Sequence, residues 1–337
     1  MTRTRGANKM EYRLLGKSGL AVSELCLGTM MFGNTTPEEE AARMIHHFRG
    51  EGGNFLDTAN VYAGGRSEEI VGRAIAGNRD EYVLATKVRM QTEEHINGAG
   101  LSRKHIVQNV EASLKRLGTD YIDLYQVHVW DHATPLEETL RALDDLVSAG
   151  KIRYIGCSNY LSWQMMKALA ISDSRGWSRF ISVQPQYSLL NREMDREMVP
   201  LCLEENVGII PWAPLGGGFL TGRYGREEPT EGRLTANAGE SSWQYRNTDP
   251  NFRILDVLKE VAAQAGKTPA QTALRWLIQQ KGITSPIFGV STYAQYEENM
   301  GAAGWELTKE QFEALDEASR LPSEYPTRFL EKFRRPL

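Results

Sequence analysis

The feature of this sequence that most limits its fold is a strand-then-helix pattern that recurs about eight times, at intervals of roughly 30 residues. Short apolar runs typical of buried parallel strands alternate with longer amphipathic runs that begin at capping residues. Eight such units close a (β/α)8 TIM barrel of the α/β class. A doubly wound open sheet also alternates, but no GxGxxG follows the first strand and no composition shift divides the chain. The predicted barrel strands are 25–27, 55–56, 82–87, 121–128, 152–158, 181–184, 207–211 and 283–288.

The segments outside this pattern complete the predicted architecture. Residues 1–9 are polar and basic, which predicts a disordered leader without a signal peptide. Residues 10–337 are predicted to be one domain, beginning with a β-hairpin that would plug the bottom of the barrel. Between residues 215 and 250 the periodicity lapses, and this long loop after strand 7 is predicted to lie over the barrel mouth. Thr-Pro pairs at 36–37, 134–135 and 268–269 predict three helix starts, each with a threonine cap.

Charge and cysteine content limit the classes of partner. The net charge is -4 with a pI near 6.0, and no stretch of about 18 apolar residues occurs, so neither nucleic acid nor a membrane is expected as a partner. Three cysteines stand far apart in apolar runs, as reduced core thiols do, and a cytoplasmic location is expected. The expected partner is a small molecule, and the oligomeric state stays open.

Four polar residues at the predicted strand ends suggest a proton-delivery site: Asp57, Tyr62, Lys87 and His128. The carboxyl ends of parallel strands meet at one rim of a barrel. There the Lys87 ammonium would lower the pKa of Tyr62 toward the working range, and Asp57 would hold Lys87 charged. His128 would polarise a substrate carbonyl while Tyr62 donates the proton.

Less specific interpretations fit each residue taken alone. Asp57 and Lys87 would form an ordinary ion pair in many proteins, and His128 would be a hydrogen-bonded core histidine. His132, four residues later, would make a metal pair with His128, but no third ligand lies nearby, so no metal is predicted. A cofactor-free isomerase with a Schiff base at Lys87 is a further alternative.

Seven longer stretches resemble the aldo-keto reductase superfamily, in particular its branch of potassium-channel β subunits and bacterial relatives. The resemblance extends from about residue 12 to residue 318. The stretches are LGTMMFG (27–33), GGNFLDTANVYAGG (52–65), SLKRLGTDYIDLYQVH (113–128), IRYIGCSNY (152–160), VQPQYSLLNR (183–192), PWAPLGGGFLTGRY (211–224) and EEN (297–299).

The resemblance implies a (β/α)8 barrel that reduces an aldehyde or ketone by hydride transfer from a nicotinamide, with Tyr62 as general acid. It implies that Trp212 stacks on the nicotinamide ring. The cofactor-binding residues it implies are Thr29, Met30, Asp57, Ser158, Asn159, Gln184, Trp212, Pro214, Leu215, Gly217, Arg223, Arg233, Gly289, Ser291, Gln295, Glu298 and Asn299. Candidate residues for the substrate wall are Met30, Met31, Trp130, Trp243 and Tyr245, which suit a polycyclic ketone as well as a simple aldehyde.

Two departures from relatives concern the cofactor site. One, whose effect should be small, is Ala213, where relatives often have a serine near the cofactor. The other concerns the nucleotide phosphate. Many relatives carry a cation just after the eighth strand to pair the 2′-phosphate, whereas this chain has Gly289, Val290 and Ser291 there. NADPH is still expected first, with NADH possible, because Arg223 and Arg233 would supply the charge. His128 is kept, unlike in some channel-associated relatives, which favours a working reductase. The alternative is a cofactor-sensing regulatory subunit with little turnover, suggested by the branch and by the aromatic insert and tail.

Overall fold

Eight parallel strands form the central sheet in the computed structural model of the protein, which describes residues 10–230, 232–235 and 242–333. Two short antiparallel strands precede them, β1 (Tyr12–Leu14) and β2 (Ala21–Ser23). The sheet contains β3 (Cys26–Gly28), β4 (Phe55–Asp57), β5 (Val83–Val88), β6 (Ile122–Val127), β7 (Ile152–Ser158), β8 (Phe180–Gln184), β9 (Gly208–Ile209) and β10 (Ile287–Gly289). Each overlaps a strand predicted from the sequence. The leader predicted at residues 1–9 lies outside the described residues.

The sheet closes on itself, which confirms the predicted (β/α)8 barrel. Its order runs β10, β3, β4, β5, β6, β7, β8, β9. At its two edges, Ile209 of β9 forms a parallel bridge with Ile283, just before β10, and the Ile287 amide of β10 donates to the Pro211 carbonyl, just after β9, at 2.8 Å. The register sets polar residues at matching heights, since Lys87 pairs with Gln126 across neighbouring strands.

Helices follow the strands and cover the outside of the barrel. In α4, for example, the buried residues recur three or four positions apart along one face that packs on the sheet. The described helices are α1 (Glu38–Gly50), α2 (Arg66–Ile75), α3 (Arg103–Leu117), α4 (Leu136–Ser148), α5 (Ser162–Arg175), α6 (Met198–Glu205), α7 (Trp243–Arg246), α8 (Asp249–Ala265), α9 (Pro269–Gln279), α10 (Tyr293–Met300), α11 (Lys309–Ser319) and α12 (Thr327–Glu331). None of these is both long and apolar enough to cross a membrane.

The three Thr-Pro pairs mark helix starts as predicted, but only one threonine is a cap. Thr268 accepts a hydrogen bond from the Gln271 amide at 3.2 Å, and Pro269 occupies the first turn of α9. Thr36 instead donates toward the Ser291 carbonyl at 3.2 Å, and Thr134 donates to Asp131 at 2.6 Å. Those two hydroxyls bond to residues outside their helices, and neither helix start has a side-chain cap. The prediction of a threonine cap was therefore wrong for Thr36 and Thr134.

The hairpin of β1 and β2 closes the amino-terminal end of the barrel, as predicted. The Ser23 amide donates to Asn54 Oδ1 at 2.7 Å, just before β4 begins. Gly16, in the turn, has a φ of 57°, and a Cβ there would lie 2.2 Å from the Ile181 carbonyl at the start of β8. Glycine alone fits this contact. The opposite, carboxyl-terminal end of the barrel therefore remains for chemistry.

The segment after β9 is irregular, as predicted, yet part of it packs as a small core. Its described residues form one-turn helices at Gly216–Thr221 and Arg233–Thr235, followed by α7. Trp243 is only 7% exposed, and its ring lies 6.4 Å from Phe219 and 6.3 Å from Tyr224. These aromatic contacts hold the described parts of the segment together.

Candidate active site

A buried lysine is the centre of the polar cluster at the rim. Lys87, on β5, is 0% exposed, and its ammonium contacts the Asp57 carboxylate. The same Nζ donates to the Thr58 carbonyl at 2.9 Å and to the Tyr62 hydroxyl at 3.3 Å. Asp57 is the last residue of β4, and Tyr62 lies in the loop that follows it. The structure thus brings these three predicted site residues into direct contact.

Asp57 is held by two amides as well as by the lysine. Gln126 Nε2 donates to Asp57 Oδ2 at 3.0 Å, and Gln184 Nε2 donates to the same oxygen at 2.9 Å. Both glutamines are buried, and Gln184 also donates to Gln126 Oε1 at 3.2 Å. The buried carboxylate therefore accepts hydrogen bonds from three side chains, the ammonium of Lys87 and the amides of Gln126 and Gln184.

The charges around the tyrosine act in opposite directions. Burial raises the pKa of the Tyr62 hydroxyl above its usual value of 10.0, while the ammonium of Lys87 and the more distant Arg233 lower it. The effect of burial is the larger, so the pKa of Tyr62 is raised overall. The expectation that Lys87 would bring this pKa down to the working range was wrong for this arrangement. For Lys87 itself, burial is the largest single effect and lowers the pKa, but Asp57 and Tyr62 together raise it by more, and the amine stays charged.

His128 lies beside the tyrosine as a neutral imidazole. Its ring meets the Tyr62 ring edge to face, with centroids 6.0 Å apart. Burial, aided by the Lys87 charge, lowers the pKa of His128 to about 3. Nδ1 is buried without a partner among the described residues. Those residues also contain no group of three His, Cys, Asp or Glu side chains arranged to bind a metal.

A row of hydrogen-bonding groups continues along the rim from the histidine. Asn159 Nδ2 donates to the His128 carbonyl at 3.0 Å, and Asn159 Oδ1 accepts from Trp212 Nε1 at 3.1 Å. Ser158 Oγ donates to the Gln184 carbonyl at 2.7 Å. The backbone of Asn159 has a φ of 55°, a strained conformation that turns its amide toward this edge. Four residues predicted to hold a nicotinamide therefore lie side by side.

A glycine loop follows Pro214 and Leu215. Gly216, Gly217 and Gly218 have φ values of 58°, 73° and 95°. Successive residues in this conformation leave a backbone concavity without side chains, suited to an anion. Arg223, downstream, contacts the Tyr224 hydroxyl. Within the described ranges, neither Arg223 nor Arg233 forms an ion pair, so both guanidinium charges are available.

The residues predicted for the adenosine end lie along the chain from the end of β10 to the last turn of α10. The Ser291 amide donates to Gln295 Oε1 at 2.9 Å, and the Ser291 hydroxyl accepts from Thr35 at 3.3 Å. Asn299 is buried, and the Glu298 carbonyl accepts from a helix α9 side chain. Gly289 ends β10, and a Cβ there would lie 4.0 Å from the Gly28 carbonyl oxygen, an ordinary contact.

The remaining predicted residues differ in how much surface they present. Thr29 is buried, with its hydroxyl bonded to the Asp57 carbonyl at 3.1 Å, whereas Met30 is exposed and Met31 half-buried. Trp130 is half-buried at the rim, and Tyr245 is 56% exposed. Trp243 packs inside the segment after β9, as described above. The Trp243 ring is therefore almost fully covered, and little of its surface is left to line a substrate site.

A model of the family described as "Aldo/keto reductase family" matches residues 24–320. The chain belongs to the aldo/keto reductase family. The match runs from just before β3 to just after α11 and so contains the whole barrel with its rim residues.

Curated relatives of this aldo/keto reductase support its assignment as an oxidoreductase. Versiconal hemiacetal acetate reductase of Aspergillus parasiticus is 36% identical over 335 residues, covering 91% of this chain and 96% of that protein. The uncharacterized oxidoreductase YrpG of Bacillus subtilis is 36% identical over 320 residues, covering 91% and 95%. A probable voltage-gated potassium channel subunit beta of Arabidopsis thaliana is 37% identical over 299 residues, covering 87% and 91%.

Sequence reasoning missed Gln126, which donates to the Asp57 carboxylate at the centre of the candidate site. Its signal in the sequence was a glutamine within the apolar run of β6, where burial of an unpaired amide costs about 1–3 kcal/mol. A polar residue at a core position of a strand therefore predicts a hydrogen-bonding partner inside the fold. The identity of that partner, 69 positions away, comes only from the closed barrel.

Proposed function

We propose that this reductase converts an aldehyde or ketone to an alcohol with a hydride from NADPH, and that Tyr62 is the general acid. The observation that carries the proposal is the Tyr62 hydroxyl 3.3 Å from a fully buried ammonium and beside a neutral imidazole. A protonated phenol next to a fixed positive charge can release its proton to an oxygen that becomes basic during reaction.

Each residue of the cluster has a distinct part in this chemistry. The proton of Tyr62 would go to the carbonyl oxygen as that oxygen becomes basic, and the Lys87 ammonium would stabilise the phenolate that remains. Asp57 keeps Lys87 charged and directed at the tyrosine. A neutral His128 has one N–H to donate, and donation from Nε2 would hold the substrate oxygen near the phenol. When bound, the cofactor supplies the hydride.

The residues along the rim fit a nicotinamide dinucleotide. Ser158, Asn159 and Gln184 offer the donors and acceptors that a carboxamide needs, and Trp212 offers an aromatic face. The glycine loop suits a pyrophosphate. Arg223 and Arg233, unpaired within the described ranges, support NADPH over NADH because a 2′-phosphate adds charge for them to bind.

The purified protein tests the proposal in a spectrophotometric assay with NADPH or NADH and a panel of aldehydes and ketones. NADPH oxidation should depend on the carbonyl compound. Tyr62→Phe removes only the hydroxyl, so turnover should fall about 10²- to 10⁴-fold while NADPH binding is retained. A Tyr62→Phe variant with wild-type turnover would sink the assignment of the acid.

A second function, a cofactor-sensing subunit that docks on a partner, is favoured by one observation on the surface. Tyr325, Phe329 and Phe333, near the carboxyl terminus, are exposed although aromatic. Tight NADPH binding without turnover on any carbonyl, together with a stable complex recovered by affinity purification, would select this function. Turnover that depends on Tyr62 would select the reductase.

A further inference from the structure

We propose that Trp163 and Leu161, with Trp130, form an outer subsite that binds the ring system of a fused-ring aromatic aldehyde or ketone. This inference rests on the proposed carbonyl reduction and names the class of substrate. Trp163 and Leu161 were not among the residues singled out from the sequence. They lie at the start of α5, immediately after the row of site residues that ends β7.

The subsite is continuous with the candidate active site through the backbone. Trp130 follows His128 by two residues, and Tyr160 follows Asn159, whose side chain donates to the His128 carbonyl at 3.0 Å. The Trp130 and Tyr160 rings meet edge to face with centroids 5.2 Å apart. Both loops leave the carboxyl-terminal ends of neighbouring strands, β6 and β7, so the aromatic cluster stands on the rim beside the histidine.

Trp163 extends this aromatic surface outward. Its ring centroid lies 5.7 Å from that of Trp130, at an angle of 60° between the ring planes. Trp163 is 58% exposed and Leu161 is 59% exposed, so two large apolar side chains next to a catalytic rim face solvent. Adjacent exposed apolar groups of this kind mark binding surfaces.

The inner half of the cluster is rigid, which suits a subsite. Tyr160 is buried, and its ring packs edge to face on Phe180 of β8 at 5.9 Å. Asp131, next to Trp130, has its carboxylate occupied by Thr134 at 2.6 Å and by the Leu101 amide at 2.8 Å. The Asp131 carboxylate is buried against these donors, so the surface that the cluster offers to a ligand is mainly aromatic.

The extent of this surface favours a substrate with a broad apolar part. Trp130 lies within about 7 Å of His128 along the chain, and the Trp163 ring lies 5.7 Å beyond the Trp130 ring. A planar fused-ring system attached to a carbonyl group held at Tyr62 and His128 presents a large apolar face to these rings. A short aliphatic aldehyde has no comparable face.

The test compares kcat/KM for 2-naphthaldehyde and for propanal in four variants with NADPH. Trp163→Ala should lower the ratio of kcat/KM for 2-naphthaldehyde to that for propanal about fivefold, the equivalent of the roughly 1 kcal/mol that an aromatic pair contributes beyond area burial. Trp163→Phe should retain part of the ratio, and Leu161→Ala should lower it about threefold. Leu14→Ala is the matched control, because Leu14 is 60% exposed on β1, at the other end of the barrel.

An unchanged ratio in Trp163→Ala and Leu161→Ala would overturn the subsite. If the ratio is unchanged and Trp163→Ala also elutes at a smaller mass than the wild type on gel filtration, the subsite is likewise overturned, because the surface would then be a contact between protein chains. If Trp163→Ala does not fold, Trp163→Phe and Leu161→Ala decide. If the wild type reduces neither aldehyde, the proposed function fails. In that case, calorimetric titration of 2-naphthaldehyde into the protein with NADP⁺ present tests the subsite. The subsite stands only if Trp163→Phe or Trp163→Ala binds 2-naphthaldehyde more weakly than the wild type does.

Discussion

The buried charge pair allows stability and catalysis to be separated in one set of variants. Lys87→Met removes the cation that contacts Asp57 while keeping a side chain of similar length. The Asp57 carboxylate would then be left in the barrel core with only the amides of Gln126 and Gln184 as donors. Asp57→Asn combined with Lys87→Met removes both charges and keeps an acceptor for the two amides.

The magnitudes follow from the burial of the pair. Leaving one partner of a buried ion pair uncompensated costs about 3–5 kcal/mol, whereas removing both is often neutral. With an unfolding entropy of about 2.1 cal/mol/K per residue, a chain of 337 residues loses about 1.4 °C of melting temperature per kcal/mol. Lys87→Met should therefore melt about 4–7 °C below the wild type, and the double variant within about 2 °C of it.

Catalysis should respond differently. Neither Lys87→Met nor the double variant retains an ammonium to stabilise the Tyr62 phenolate, so both should lose about 10²- to 10⁴-fold in kcat. Differential scanning fluorimetry and the NADPH assay measure the two properties on the same samples. Equal melting temperatures for the single and double variants would refute the uncompensated carboxylate as the cause, and recovered turnover in the double variant would refute the role of the ammonium.

Three further predictions concern the rest of the site. The rate of reduction should show no inflection between pH 5 and 8, because the pKa of His128 is lowered to about 3 and its imidazole stays neutral there; it should decline only above the ordinary range of tyrosine, about pH 10, because the acid form is required and burial raises the pKa of Tyr62. An inflection near pH 6.5 that His128→Gln removes would contradict the neutral imidazole. Gln126→Leu should lower the free energy of unfolding by about 1.5–3 kcal/mol, the contribution of a hydrogen bond to a charged group, and denaturant titration measures it. Arg223→Ala and Arg233→Ala should each weaken NADPH binding about tenfold and NADH binding less, as fluorescence titration would show; equal losses for both nucleotides would place the arginines on the shared pyrophosphate.

Local pattern was enough to predict the barrel and much of its rim. Hydrophobic periodicity depends on which face of a short segment is buried, and that information lies within each strand and helix. Because parallel strands end at the same rim, Asp57, Lys87 and His128 could be placed together although 71 positions separate the first from the last. The capping threonines were less predictable, since Thr36 and Thr134 found partners outside their own helices.

The closed structure alone decided how the site is tuned. The pKa of Tyr62 depends on how completely the barrel and the loops bury it, a sum over neighbours distant in sequence, and that sum reversed the direction expected from Lys87. The same holds for Gln126, whose amide is paired across the barrel, and for Trp243, whose ring is covered by its own segment. The sequence by itself determined the strand-and-helix order and the residue types at the rim, because both are local. Burial, electrostatic balance and the aromatic surface at Trp163 required the tertiary structure, because each depends on contacts between residues that the chain brings together only when the barrel closes.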